Sequence, residues 1–344
     1  MRERRKPGRG AAPNGVAAPL HVHDPVEASP RIDYVGPMGK KLEFAVAVLN
    51  GAVGDYLART NNGLALPMEL VQGGRAVSVA AAAGAAPSGR LAVFVHGLMS
   101  DESIWSLADG TTYGSRLATD VGHTPVYVRH NSGRAIAENG ESLSALLTEL
   151  VAAWPVPVTE LLPIAHSQGG LVVRSACHVA AESGAPWLPL VRQAVYVATP
   201  HLGAPAERAG RILNRVLHKV PEPTTRLIAQ IADLRSDGIK DLGDADLRAA
   251  DRARRGLQLG LRDPRHPVPL LPTIRHHLVA GALSADPWIA ALFGDSIVPV
   301  ESATGGGRLS DAPLEDVRIF HGRTHVGLAH DPEVYSQIRT WCTS

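Results

Sequence analysis

One stretch limits what this chain can fold into more than any other: Leu161-Leu162-Pro163-Ile164-Ala165-His166-Ser167-Gln168-Gly169-Gly170-Leu171-Val172-Val173. An apolar run of strand length breaks at a single serine and resumes with helical spacing, which reads as strand, sharp turn and helix with Ser167 at the tip. Such a turn lifts a hydroxyl above the carboxyl edge of a sheet, and its crowded backbone admits only small residues two places before and after the serine. Ala165 and Gly169 occupy those places. The usual pattern is G-x-S-x-G, so Ala165 departs from it by one methyl group. The helix that follows aims its first amides, and the positive end of its dipole, at negative charge developing beside Ser167.

A serine hydroxyl needs a base, an acid to orient that base, and donors for the oxyanion. Asp295 is the candidate acid: it sits in the turn of Phe293-Gly294-Asp295-Ser296-Ile297-Val298-Pro299-Val300, whereas Asp286 precedes Pro287 as a helix-start residue does. His325 is the candidate base, in the loop after a last strand at 317–320 and before a helix at 332–341. His321 lies too close to the strand end, His330 reads as a local partner of Asp331, and His201 comes too early in the chain. The run Leu91-Ala92-Val93-Phe94-Val95 has the continuous apolar character of a parallel strand buried on both faces, and it ends in His96-Gly97-Leu98-Met99. An amide just past this strand supplies half of an oxyanion hole, so the amides of Leu98 and Gln168 are the candidate donors. His96 reads as a buried histidine that bonds backbone and shapes the loop. Met99, His166, His201 and Leu202 are the candidate substrate contacts.

The rest of the chain divides around this catalytic unit. Residues 1–40 are rich in Pro, Gly, Ala and Arg without apolar period, as expected of a disordered basic tail. Over 41–64, Leu42, Ala45, Val46, Leu49, Ala52, Val53, Tyr56 and Leu57 follow helical spacing, weakened by Gly51 and Gly54. Its polar face is not rich in basic residues, which favours packing on the catalytic domain over a membrane surface. The catalytic domain spans 65–344. A hairpin at 68–71 and 75–80 flanks Gln72-Gly73-Gly74, a loop covers 81–89, and further strands fall at 125–129, 193–198 and 276–281. The polar stretches 130–134 and 139–141 either line a substrate cleft or form solvated loop, and a helix follows at 142–154. From about 206 to 272 only helical segments appear, at 212–220 and 225–234, as in a cap over a site. Pro163 is a difficulty inside the elbow strand, since it cannot donate to a ladder, and a local bulge is the one account available.

Composition narrows the function further. The 34 basic and 33 acidic residues leave a net charge of +1, with no field for capturing nucleic acid. Cys177 and Cys342 are too few for a disulfide framework and not spaced as a metal pair, and no H-E-x-x-H or Cys/His cluster accompanies the 15 histidines, so no metal site is assigned. No apolar run is long enough to span a bilayer and no signal-peptide core follows the basic start, so a cytoplasmic protein is expected.

The order Ser167, Asp295, His325, with His96-Gly97 upstream, resembles the α/β-hydrolase family. More narrowly it resembles bacterial esterases and lipases related to the GPI inositol-deacylase domain. The residues that carry this are Val95-His96-Gly97-Leu98, Ala165-His166-Ser167-Gln168-Gly169-Gly170-Leu171-Val172, Thr199-Pro200-His201-Leu202-Gly203, Arg235-Ser236-Asp237-Gly238-Ile239-Lys240-Asp241-Leu242, Gly294-Asp295-Ser296-Ile297-Val298-Pro299 and Thr324-His325-Val326-Gly327-Leu328. Ala165 for the first glycine, found in some lipases, and Gln168 for the commoner Met leave the nucleophile intact. The resemblance implies an α/β-hydrolase fold, with a mostly parallel central sheet, helices on both faces and a helical cap. It implies a serine esterase or lipase without a cofactor, acting on a small-molecule or lipid ester; separately, the Leu, Ile and Val of the cap segment favour esters of lipid character. Transient contact with a membrane surface stays open, and the balanced charge speaks against a nucleic-acid partner. An acyltransferase or thioesterase using the same triad, and a non-catalytic binding protein, are the alternatives.

Overall fold

The computed structural model describes residues 37–204, 236–245, 247–248, 268–284, 295, 297–307, 309 and 316–343. The basic tail, most of the cap, Asp286 and the neighbours Gly294 and Ser296 lie outside the described residues.

Alternation along the strands builds the molecule. In β3 (Arg90–Val95), Leu91, Val93 and Val95 face one core and Ala92 and Phe94 the other, all nearly without solvent contact. Complete burial of each Val, Leu or Phe contributes about 1.5–3 kcal/mol, which is why this strand is central. β4 (Thr124–Arg129), β5 (Glu160–His166), β6 (Gln193–Val197), β7 (Arg275–Ala282) and β8 (Val317–His321) run parallel to it. β1 (Glu69–Gln72) pairs antiparallel with β4 and carries β2 (Arg75–Ala76) at the edge, giving the order β2-β1-β4-β3-β5-β6-β7-β8. The structure is therefore α/β, with a mostly parallel sheet of eight strands.

Helices cover both faces. α1 (Pro37–Arg59), α4 (Ile136–Ala153) and α5 (Gln168–Ser183) bury their apolar sides in the core shared by Leu91, Val93 and Val95. α3 (Tyr113–Val121) and α8 (Pro332–Thr343) close the opposite face through Leu117, Val334, Ile338 and Trp341. Thr112 starts α3 with a reciprocal capping box, and Gly122 ends it in the left-handed conformation. Three short α-helices are also described, α2 (Val79–Ala83), α6 (Asp237–Asp244) and α7 (Val300–Thr304).

Several boundaries differ from the sequence reading. The second hairpin strand ends at Ala76, because Ser78 accepts the amide of Ala81 and starts α2 where continued strand and then loop were expected. The helix expected at 142–154 begins at Ile136, so Asn139, Gly140 and Glu141 are helical rather than loop. Gly140 is needed there: a Cβ would lie 2.2 Å from Ser175 Oγ on α5. Residues 130–132 are not solvated loop but fully buried. Pro163 makes no bulge, pairing directly with Val93. Its missing donor instead coincides with a short ladder to β6 that starts at Ile164, leaving Gln193 and Ala194 paired with β7 alone.

The helix expected over 41–64 spans Pro37–Arg59 and belongs to the main core. Ala45, Val48, Leu49, Ala52 and Val53 are buried there, and Val53 carries a non-helical kink. Gly51 and Gly54 are more than weak helix formers, since a Cβ at either would strike Met99 or Asn131.

Candidate active site

Ser167 stands between β5 and α5 with φ 53° and ψ −125°, a conformation that costs a residue with a side chain about 1–3 kcal/mol. Its surroundings hold it there. The Ser167 amide donates to Val197 O at 2.9 Å, and its carbonyl accepts the Gly170 amide at 3.0 Å. A Cβ on Gly169 would come within 2.4 Å of His96 O, and one on Gly170 within 2.0 Å of Thr199 Oγ1, so the helix lies against the neighbouring loops only because both are glycine. Ala165 is fully buried between Val95 and Tyr196, and its methyl is accommodated.

Asp295 follows β7 and His325 follows β8, and the parallel order of β5, β6, β7 and β8 brings both to the edge where Ser167 stands. His325 Nε2 is 2.8 Å from Ser167 Oγ, and His325 Nδ1 is 2.8 Å from Asp295 Oδ2. A carboxylate only accepts, so Nδ1 carries the proton and Nε2 is left to accept from the serine hydroxyl. The second oxygen of Asp295 accepts the amides of Ile297 and Val298 at 3.0 and 2.7 Å. All three side chains are at most about 5 % exposed.

Gly97 brings the loop after β3 against the serine: a Cβ there would lie 2.9 Å from Ser167 Cβ. Among the described residues the amides of Leu98 and Gln168 donate to no partner, while that of Met99 is held by Ser132 Oγ at 3.0 Å. Two unengaged donors therefore flank the serine. His96 shapes the loop by donating from Nδ1 to Gly97 O at 2.9 Å and accepting the His130 amide at Nε2 at 3.1 Å, and burial holds its pKa below the usual imidazole range.

The four candidate substrate contacts are placed differently from one another. Met99 is buried beneath α1. His166 donates from Nε2 to His325 O at 3.1 Å, its ring centroid 4.9 Å from that of His325 and its edge on Trp105. Burial, then the neighbouring His325, holds His166 well below the usual imidazole range, so it is a neutral buttress. His201 packs on Tyr196 and beside the Arg174 guanidinium, and burial again holds it neutral. Arg174, itself lowered to about 10 by burial, donates to His201 O and Val268 O. Leu202 is half-buried, and its amide donates to Ser302 Oγ on α7 at 3.2 Å. His330, expected to pair with Asp331, instead approaches Ile104 O, while Asp331 pairs with Arg323.

Sequence reasoning missed a group of supports. Ser132 holds the loop after β3; Ser302 also donates to Gly203 O at 2.7 Å; and Gln168 Nε2 donates to Gly238 O of α6 at 3.0 Å. The stretch 130–134 and the Arg235 to Leu242 segment stand out in the sequence, but these particular bonds do not. Among the described residues no group of three or more His, Cys, Asp or Glu is arranged to hold a metal ion, and no helix is long and apolar enough to cross a membrane.

A strained serine turn after the central β5, with Asp295 after β7 and His325 after β8, defines the architecture. The fold is that of the α/β-hydrolases. Solved structures resembling it include the mature lipase BlEst2 of Bacillus licheniformis, at 18% identity and TM-score 0.47, covering 74% of this chain and 93% of that one. A lipase-esterase related protein of Clostridium acetobutylicum matches at 15% and 0.42, covering 74% and 94%. The type II thioesterase YbtT matches at 15% and 0.39, covering 75% and 92%. Likenesses this distant say nothing of activity. No protein-family model and no curated protein matches the sequence, so the narrower resemblance to the inositol-deacylase group has no support beyond its motifs.

Proposed function

We propose that the protein is a serine hydrolase of carboxylic esters, acting through an acyl-enzyme on Ser167. The observation that carries this reading is the unbroken chain Ser167 Oγ, His325 Nε2, His325 Nδ1, Asp295 Oδ2, with 2.8 Å at each link. His325 takes the hydroxyl proton as Ser167 attacks the ester carbonyl, and Asp295 stabilises the imidazolium that forms. The amides of Leu98 and Gln168 hold the tetrahedral oxyanion, and each such donor is worth on the order of 100-fold to 1000-fold in rate. His325 then protonates the departing alcohol. Water, deprotonated by the same imidazole, attacks the acyl-serine and releases the acid.

Esters of lipid character suit the Leu, Ile and Val content of 206–272. The test is hydrolysis of p-nitrophenyl esters of increasing chain length, with and without a detergent interface, by wild type and Ser167→Ala. Turnover confined to the wild type, with a fluorophosphonate labelling Ser167, is the expected result. Wild-type rates in Ser167→Ala would defeat the reading.

A further inference from the structure

Met99 directly follows Leu98 and has φ 56°, a left-handed backbone that a residue with a side chain keeps only when its neighbours impose it. Two neighbours do so. Its amide donates to the buried Ser132 Oγ at 3.0 Å. From the other side α1 rests on it through Gly51, where a Cβ would lie 2.3 Å from Met99 Cγ, 2.8 Å from its N and 2.9 Å from its Cα. Contact that close to main-chain atoms leaves Met99 no room to relax towards the helix.

The helix is pinned at the same level. Ser236 Oγ donates to Gly51 O at 2.7 Å, and Asn131 Nδ2 donates to Gly54 O at 2.9 Å, one residue from Ser132. On the other flank of Leu98, Gly97 abuts Ser167. The Leu98 amide is thus carried on a short segment gripped at both ends, by the nucleophile's turn on one side and by α1 with Ser132 on the other.

We propose that Gly51 of α1 and Ser132 are positioning residues that aim the Leu98 amide at the oxyanion, making the N-terminal helix part of the catalytic apparatus. This rests on reading Ser167 as the nucleophile and Leu98 as an oxyanion donor. Catalytic donors act from fixed positions, and a displacement of about 1 Å costs on the order of 100-fold.

The experiment uses the full chain and three variants. Gly51→Ala presses a methyl onto the Met99 main chain, and Ser132→Ala removes the acceptor while adding no atoms. Each is expected to lower kcat for p-nitrophenyl butyrate by about 10- to 100-fold with KM within about twofold. Each is also expected to weaken a trifluoromethyl ketone, whose adduct on Ser167 carries an oxyanion, by the same factor as kcat/KM. Gly140→Ala introduces a similar clash between α4 and α5, and is expected to lower thermal stability while leaving kcat within about twofold. Wild-type kcat and ketone affinity in folded Gly51→Ala, or in Ser132→Ala should the former not fold, would overturn the proposal. Wild-type turnover by Ser167→Ala would instead remove the reading beneath it.

Discussion

Asp295 and His325 are joined at two points, the His325 amide to the Asp295 carbonyl at 3.1 Å and the imidazole to the carboxylate at 2.8 Å. The first joint fixes the loop and the second fixes the proton. Asp295→Asn separates them. The new amide oxygen stays on the Ile297 and Val298 amides, so its NH2 faces Nδ1 and forces the proton to Nε2. An Nε2–H cannot accept from Ser167. We expect kcat to fall by about 10,000-fold, with the urea midpoint near that of wild type because the main-chain joint survives. A variant within tenfold of wild-type kcat would contradict this.

His166 supports the same loop from beneath, and its Nε2–H is the donor that His325 O receives at 3.1 Å. His166→Phe keeps a ring beside Trp105 and His325 but leaves that buried carbonyl unpaired, a loss of about 1–3 kcal/mol in stability. The released loop lets the imidazole drift from Ser167, and kcat is expected to drop about tenfold. Paired denaturation and steady-state kinetics check both numbers, and an unchanged kcat would make His166 a packing residue alone.

How far the site was legible depends on whether its signals are local. Ser167, Asp295 and His325 could each be picked out because strand ends, turns and chain order are written in neighbouring residues, and the sheet topology does the rest. The direction of a side chain in a loop is not so written. Met99, His166 and His201 all stand at the right edge of the sheet, yet each is turned into the core. Ser132, Ser236 and Ser302 make their bonds across 33, 185 and 99 residues of chain, and partners that distant are not written in the residues beside them. Gly51 and Gly54 were visible as helix-weakening residues, but the close approach that requires them appears only once α1 has a neighbour.

Cys177 and Cys342 test the assignment of the nucleophile from another direction. Burial pushes both thiols up to about 12, so neither forms appreciable thiolate at pH 8. The native protein is expected to show no fast-reacting thiol towards Ellman's reagent and two after unfolding in urea. Iodoacetamide should leave ester turnover unchanged. Rapid native labelling accompanied by loss of activity would point to a cysteine in the reaction.

The buried histidines predict the molecule's response to acid. Burial lowers His96, His130, His166 and His201 below the usual imidazole range, and takes His276 and His277 to about 4. The unfolded chain binds protons on these rings below about pH 6.5, and the folded chain does not until well below that. Unfolding therefore takes up protons, and stability falls as pH drops from about 6.5 towards 4, by up to about 1.4 kcal/mol per pH unit for each histidine. His130 isolates one such contribution. Its ring stacks on His96 with centroids 4.1 Å apart, and among the described residues neither ring nitrogen has a hydrogen-bond partner. His130→Phe preserves the stack and removes the titration. We expect stability within about 1.5 kcal/mol of wild type at pH 8 and a slope between pH 6 and 5 shallower by close to one proton. Urea midpoints across that range measure it, and an unaltered slope would mean that His130 is protonated in the folded protein.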